Sequence, residues 1–228
     1  MNYRLASPLL DAQIGEIKLK IRLSMNGIVS GQMTQSGIIY KKNYGVSIPR
    51  IREIASMYPP NHDLALRLWN LQIRETMIMA TLLEPVDTCT REFANKWVGS
   101  FNQIEIVEQS CMNLFCKLPC SASLCMEWVS SGNVWSQITG FTLGARIYDT
   151  LDSTGINAII EIALKITDTD NFFLYKAVAL CLSRFCRKDI ETATHILKEI
   201  TANNSRTSVA QHYIFNEVKQ EILFLNIL

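Results

Sequence analysis

Proline is missing from nearly half of this 228-residue chain: all six prolines lie at or before Pro119. Beyond it, only Gly132, Gly140, Gly144 and Gly155 remain as glycines. The C-terminal half therefore lacks most helix breakers and is free to be nearly continuous helix. No run of about 18 apolar residues occurs, which speaks against a membrane-spanning helix. The N-terminal segment carries charges throughout its apolar part, so it lacks the uninterrupted core of a secretory signal. Seven cysteines, an odd number, argue against a disulfide framework, and a cytoplasmic protein with reduced thiols is expected. Charge is sparse too: 22 Lys and Arg against 21 Asp and Glu leave a net charge of +1. Any nucleic-acid-binding face must then come from segregated charges, because the total supplies no basic excess.

Several kinds of chemistry lack their residues. Cys111, Cys116, Cys120 and Cys125 lie close together but form no CxxC pair, and Pro119 splits them between two helices. The three histidines, His62, His195 and His212, are all distant in sequence from that group. Core packing is therefore the expected role of these thiols, and no metal site is expected. No GxGxxG, GxxxxGK[ST], GxSxG or HExxH occurs. No cofactor is expected.

What is present is helix. Hydrophobic residues make up 48% of the chain, enough for a substantial core, and one helical domain over 1–228 is expected. A first helix is read over 8–25, with Leu10, Ile14, Ile17 and Ile21 on one face. Residues 26–46, interrupted by Gly27, Gly31, Gly37 and Gly45, admit either a short helix or a loop. Ser47 followed by Pro49 reads as a helix start, and that helix ends before Pro59-Pro60. Asn61 or Asp63 begins the next, with Leu64, Leu68 and a core Trp69. Further helices are expected over 73–83, 88–98, 102–117, 121–131, 133–151, 154–167, 170–187, 189–203 and 205–226. Asp152-Ser153, Thr169-Asp170 and Asn203-Asn204-Ser205 supply cap or turn residues between them. Gly140 and Gly144, four apart, mark a close helix contact. No strand pattern is found. The class is all-α, and many mid-length helices with short turns suggest stacked antiparallel pairs, as in HEAT or armadillo arrays. No sharp period is visible, so periodicity alone also permits a globular bundle.

Two helices carry residues of chemical interest. In FNQIEIVEQSCMNLFCKL, from Phe101, the helical wheel puts Ile104, Val107, Cys111, Leu114, Phe115 and Leu118 on the core face. Glu108 falls at the edge of that face and Glu105 points further out. Glu108 is either a boundary glutamate reaching water or a partly enclosed site carboxylate. In the helix from Asn171, Ala177, Val178, Cys181, Leu182 and Phe185 cluster on one side. Lys176, Ser183, Arg184 and Arg187 lie opposite, with Leu180 among them. A leucine in a basic stripe suits either a solvated face with one stray apolar residue or a modified binding face. Trp135, Thr139, Thr142 and Arg146 share a stripe on the 133–151 helix. Lys41, Lys42, Arg50 and Arg52 form another basic group, readable as ordinary surface charge.

The ordered blocks YGVSIPRIREIA, LALRLWNLQIRETMIMATLLEP and ANKWVGSFNQIEIVEQ, between Tyr44 and Gln109, resemble the DNA alkylation repair family. Its members are HEAT-like repeat proteins that excise alkylated bases from duplex DNA. The resemblance runs from about residue 40 to residue 190 and implies an α-α superhelix and a DNA ligand. Active members carry a W-D-x-V-D-like run whose Trp and last Asp serve the active site. The matching run here is Ile104-Glu105-Ile106-Val107-Glu108, which implies Glu108 as the catalytic carboxylate and leaves Ile104 in place of the aromatic. GNVWSQITG is similar to a segment in which Trp is soon followed by arginines. Trp135 fits, and Gln137 and Ile138 stand where the arginines would be. NFFLYKAVALCLSRF resembles a helix with a second active-site aromatic, here Leu180.

An alkylated purine is already a cationic leaving group, so a carboxylate beside the oxocarbenium-like sugar and aromatic faces against the cation do most of the work. Glu is longer than Asp by a methylene, and a shift of about an ångström can cost on the order of a hundredfold in rate. With two aromatics and a cation replaced, the expected protein is a monomeric binder of double-stranded DNA, alkylated or branched, with weakened excision. Trp135, Thr139, Arg146, Lys176, Leu180, Arg184 and Arg187 are the expected DNA-contacting residues. The alternatives are an active alkylpurine glycosylase and a non-catalytic HEAT-repeat scaffold for protein partners. No membrane contact is expected.

Overall fold

The computed structural model describes residues 7–202 and 208–227. Among them are thirteen α-helices and no β-strand, with one isolated bridge between Lys42 and Ile73. No described helix is long and apolar enough to cross a membrane. The helices gather into two compact units, one up to Cys89 and the other from Thr90 onward.

The first unit contains α1 (Pro8–Leu23), α2 (Gly27–Gln35), α3 (Ile48–Ala55), α4 (His62–Asn70) and α5 (Arg74–Leu83). The undecided stretch 26–46 resolves into a short helix and a loop. Asn26 caps α2 by accepting from the Val29 amide at 3.1 Å. None of the α2 side chains is buried. Gly45 turns the following loop at φ +69°, and a Cβ there would lie 2.1 Å from the Asn26 carbonyl oxygen. Ser47 stands at the α3 N-cap position but its side chain makes no capping bond. Asn61, rather than Asp63, caps α4, accepting from the Leu64 amide at 2.8 Å. Trp69 is buried, as expected of a packing residue.

At the centre is α5, nearly all of whose residues are buried, including Arg74 and Glu75. Glu75 accepts from the backbone amides of Tyr44 at 3.1 Å and Val46 at 3.2 Å. Arg74 donates to the Val46 carbonyl at 2.8 Å and pairs with Glu75 at 3.2 Å. The loop, whose Val46 is itself buried, is thus stapled to the central helix by one buried ion pair. Such a pair is costly to break, since the surviving partner is left charged in the core.

The second unit contains α6 (Arg91–Val98), α7 (Ile104–Asn113), α8 (Ser121–Val129), α9 (Val134–Gly144), α10 (Ser153–Lys165), α11 (Phe172–Phe185), α12 (Ile190–Ala202) and α13 (Val209–Phe224). Within it, α7, α9, α11 and α13 pack successively in one row, while α8, α10 and α12 form a second row behind them. This two-row stack is the paired arrangement expected of HEAT-type helices. Gly140 brings α9 against α8: a Cβ there would lie 2.6 Å from the Val129 amide nitrogen. Gly144, one turn on, faces the Cys181 and Cys125 thiols at 3.0 and 3.2 Å from where a Cβ would sit. The glycine pair is the close contact that its spacing suggested.

Most helices are shorter than the sequence pattern, three of them for a visible local reason. The 88–98 helix starts only at Arg91, after Thr90 accepts from the Phe93 amide at 3.2 Å. The 102–117 helix stops at Asn113 because Leu114 leaves helical geometry (φ −128°, ψ −64°), and a single 3-10 turn over Phe115–Lys117 follows. The 133–151 helix ends at Gly144, so Arg146 lies in the turns beyond it. Asp152 caps α10 as read, but Asn171, not Thr169-Asp170, caps α11. The Asn203-Asn204-Ser205 turn lies outside the described residues.

Two outcomes follow for stability. Gly140→Ala is expected to lower the unfolding free energy by about 2 kcal/mol or more, because the new methyl meets backbone rather than a movable side chain. Glu75→Ala should cost about 3–5 kcal/mol by stranding the Arg74 charge. Both are read as shifts of the urea midpoint followed by circular dichroism.

Candidate nucleic-acid interface

The row α7–α9–α11–α13 encloses a cleft of about 580 Å³. Helix α11 forms its floor with Lys176, Leu180, Ser183 and Arg184. On one side, α7 contributes Ile104 and Glu108, and α9 contributes Thr142. On the other, α13 contributes Tyr213, Glu217, Gln220, Glu221 and Phe224. Phe172 and Phe173 close the end at the start of α11.

Glu108 keeps open access to water along one side, and by exposed area it is less covered than Glu105, the reverse of the helical-wheel reading. Only Glu108 of the two lines the cleft. The cleft walls crowd its other side, and this partial burial pushes its carboxyl above the usual carboxylate range. The charges of Arg146 and Lys176 pull the other way, while Glu105 adds to the upward push. Ile104 is half-buried and faces the cleft instead of sitting in the core, where Ile106 and Val107 are fully enclosed. The buried face of α7 is therefore rotated toward Ile106.

An aromatic row runs beside the carboxylate. Trp135 stacks on Phe173 with ring centres 6.2 Å apart and planes at 29°. Phe173 meets Phe172 edge-on at 5.6 Å, and Phe172 meets Tyr175 at 5.5 Å. Tyr175 then contacts Tyr213 of α13 at 5.3 Å. The Lys176 ammonium sits 5.0 Å over the Phe172 ring, a cation–π contact that holds the charge at the cleft edge.

Of the residues singled out from sequence, Glu108, Lys176, Leu180 and Arg184 come together in this cleft. Ile104, Thr142 and Ser183 line it too, and the rest sit elsewhere. Thr139 is fully buried, and its hydroxyl donates to the Trp135 carbonyl at 2.7 Å, so it does not share an exposed stripe with Trp135. Its i−4 backbone bond explains why a threonine sits inside a helix core. Trp135 is half-buried and reaches the cleft through Phe173. Arg146 lies exposed on the turn after α9 and touches the site only through its field on Glu108. Arg187 is ion-paired with Glu221 of α13. Ser183, placed on the basic side of α11, is buried but still lines the cleft. Ile138 is fully buried in the core. In the first unit, Arg50 pairs with Glu53 and bonds Ser24, and Lys42 lies over the Tyr44 ring.

Sequence reasoning missed the aromatic and α13 walls. The double phenylalanine just after the Asn171 cap was a usable clue. The α13 residues lie beyond the blocks on which the resemblance rests, and no local motif marks them. All seven cysteines are free. Cys111 and Cys125 are buried, with thiols donating to the carbonyls of Thr139 and Gly140 at 3.6 and 3.3 Å. Among the described residues, no group of three or more His, Cys, Asp or Glu side chains is placed to hold a metal.

Two comparisons bear on this arrangement. A solved structure described as "a new family of proteins related to the HEAT-like repeat DNA glycosylases with affinity for branched DNA structures" superposes with a TM-score of 0.77, at 11% sequence identity. The match covers 90% of this chain and 94% of that one, which establishes a shared all-α, HEAT-like fold. No curated protein sequence matches the chain. The sequence profile described as DNA alkylation repair enzyme matches residues 30–211, through both compact units. On that match, the chain belongs to the DNA alkylation repair enzyme family.

Proposed function

We propose that this protein binds double-stranded DNA, alkylated or branched, along the row α7–α9–α11–α13, with base excision lost or strongly weakened. One observation carries the reading. Residues that the sequence picked from separate helices, Glu108 on α7 and Lys176, Leu180 and Arg184 on α11, line a single cleft. Lys176 and Arg184 suit phosphate oxygens, which position a duplex without reading its sequence. Glu108 suits the developing positive charge of a sugar losing its base. The positions expected to hold aromatic faces carry Ile104 and Leu180 instead, and both line the cleft. Aliphatic groups fill space there but offer no π face to a cationic base. The structural relative's described affinity for branched DNA supports extending the ligand range beyond damaged duplex.

A second reading has its own support. The first unit exposes Leu19, Leu23, Met25 and Ile28 on and after α1, and the chain is nearly neutral. Those features suit a scaffold that docks protein partners. Tight, salt-sensitive duplex binding would count against it as the main role.

The deciding experiment is release of methylated purines from alkylated duplex under single-turnover conditions, with Glu108→Gln in parallel. Little or no release by either protein is expected. Release that the substitution abolishes would overturn the loss of excision. Duplex affinity titrated against salt should weaken with Arg184→Gln, and the log–log salt slope should fall by about one. Arg187→Gln should change the slope less, because Glu221 already neutralises that charge. Glu108→Gln should fold normally. A carboxyl whose pKa is raised by folding destabilises the fold as pH climbs through the ordinary carboxylate range, so removing its charge relieves a cost. The melting temperature of the variant, relative to the unsubstituted protein, should therefore be equal at low pH and equal or higher at neutral pH.

A further inference from the structure

We propose that the cleft receives one unpaired nucleotide, its base against the aromatic side chains at the start of α11 and on α13, its phosphate against Lys176 and Arg184. This rests on the DNA-binding reading and names the part of the DNA that enters. Two large aromatic residues at the start of α11 are left wet in the cleft: Phe172 is 50% exposed and Phe173 38%. Phe173 is braced from behind by Trp135, and Phe172 by Tyr175. Rigid, exposed rings beside cations are how proteins hold single-stranded nucleic acid, since every base has a π face. A paired base inside a duplex has both faces covered by its neighbours, so only an unpaired one can use this surface.

The volume and polar groups fit the same occupant. About 580 Å³ falls within the range of pockets for ligands of nucleotide size. Ser183 lines the cleft at 8% exposure, and its hydroxyl has no hydrogen-bond partner among the described residues. A buried hydroxyl without a partner is unfavourable, and a base edge or sugar hydroxyl would satisfy it. The carboxylates of Glu108 and Glu217 flank the cationic floor from opposite sides. They repel phosphate, which confines the backbone to Lys176 and Arg184. They also accept hydrogen bonds from exocyclic amino groups, so adenine, guanine and cytosine are preferred over thymine.

This arrangement gives a nearly neutral protein a way to choose branched DNA. Branch points present unstacked bases at little cost, whereas a continuous duplex must first be opened. Selectivity then comes from stacking and not from total charge.

The test uses the full chain with three labelled probes: a continuous duplex, a duplex with one unpaired 2-aminopurine, and a three-way junction with 2-aminopurine at the branch. Anisotropy reads binding, and 2-aminopurine emission reads the environment of the base. The emission of the unpaired base should change saturably, with the same midpoint as binding. Phe172→Ala and Phe173→Ala should weaken binding of the unpaired-base probes about tenfold and of the continuous duplex less than about twofold. Phe172 is half exposed, so its variant keeps the test open if Phe173→Ala, which also loses the Trp135 stack, melts early. Equal affinity for all three probes, unchanged emission, or no effect of either variant would overturn the proposal while leaving DNA binding intact. Binding to none of the probes would remove the DNA reading and this inference together.

Discussion

The second unit depends on the absence of one side chain. At Gly140 the backbones of α8 and α9 approach so closely that a methyl group would meet the Val129 amide nitrogen at 2.6 Å. One turn later Gly144 leaves room for thiols from Cys181 on α11 and Cys125 on α8. The two glycines thus set α9 between its neighbours on both rows. The position of α11 follows, and with it the direction in which Lys176, Leu180 and Arg184 face the Glu108 carboxylate. Helix packing at contact distances leaves little freedom to adjust, so a site assembled from four helices inherits its geometry from that one approach.

The first unit solves a different problem by other means. Its loop over 42–46 has backbone amides to satisfy and little apolar area to bury. Glu75 and Arg74 meet the need with charge, from a helix otherwise packed with Met77, Ile78, Met79 and Ala80. Both units show a general limit of helical stacks: apolar stripes fix which helices touch, and a few small or charged residues fix how closely.

The helices were largely legible because their apolar stripes and caps are local. Asn61 and Asp152 announced their helices, and the Gly140–Gly144 spacing announced a contact. What stayed hidden was set by distant neighbours. Leu114 breaks its helix through backbone geometry that its identity does not betray. Thr139 looked like a polar stripe residue, but its hydroxyl bonds its own helix and lets it sink into the core. Glu105 and Glu108 exchanged enclosure relative to the helical wheel, and Ile104 left the core, because a wheel knows the period of a helix and not which neighbour covers it. Lys176 and Arg184 were read from the helical pattern of α11, while the role given to Glu108 came from resemblance to a family. The α13 wall had neither aid, since Tyr213, Glu217 and Phe224 acquire meaning only when α13 lies beside α11.

The thiols carry a last consequence. Burial pushes Cys125 and Cys186 up to about 12 and holds Cys111 and Cys181 well above the ordinary thiol value. The reactive form of cysteine is the thiolate, and at about 12 only about one thiol in a hundred thousand carries it at neutral pH. The electrophiles that methylate purines also seek soft sulfur nucleophiles. Four buried sulfurs are thereby hidden from such reagents, and the helix contacts that Cys125 and Cys181 make at Gly144 are protected with them.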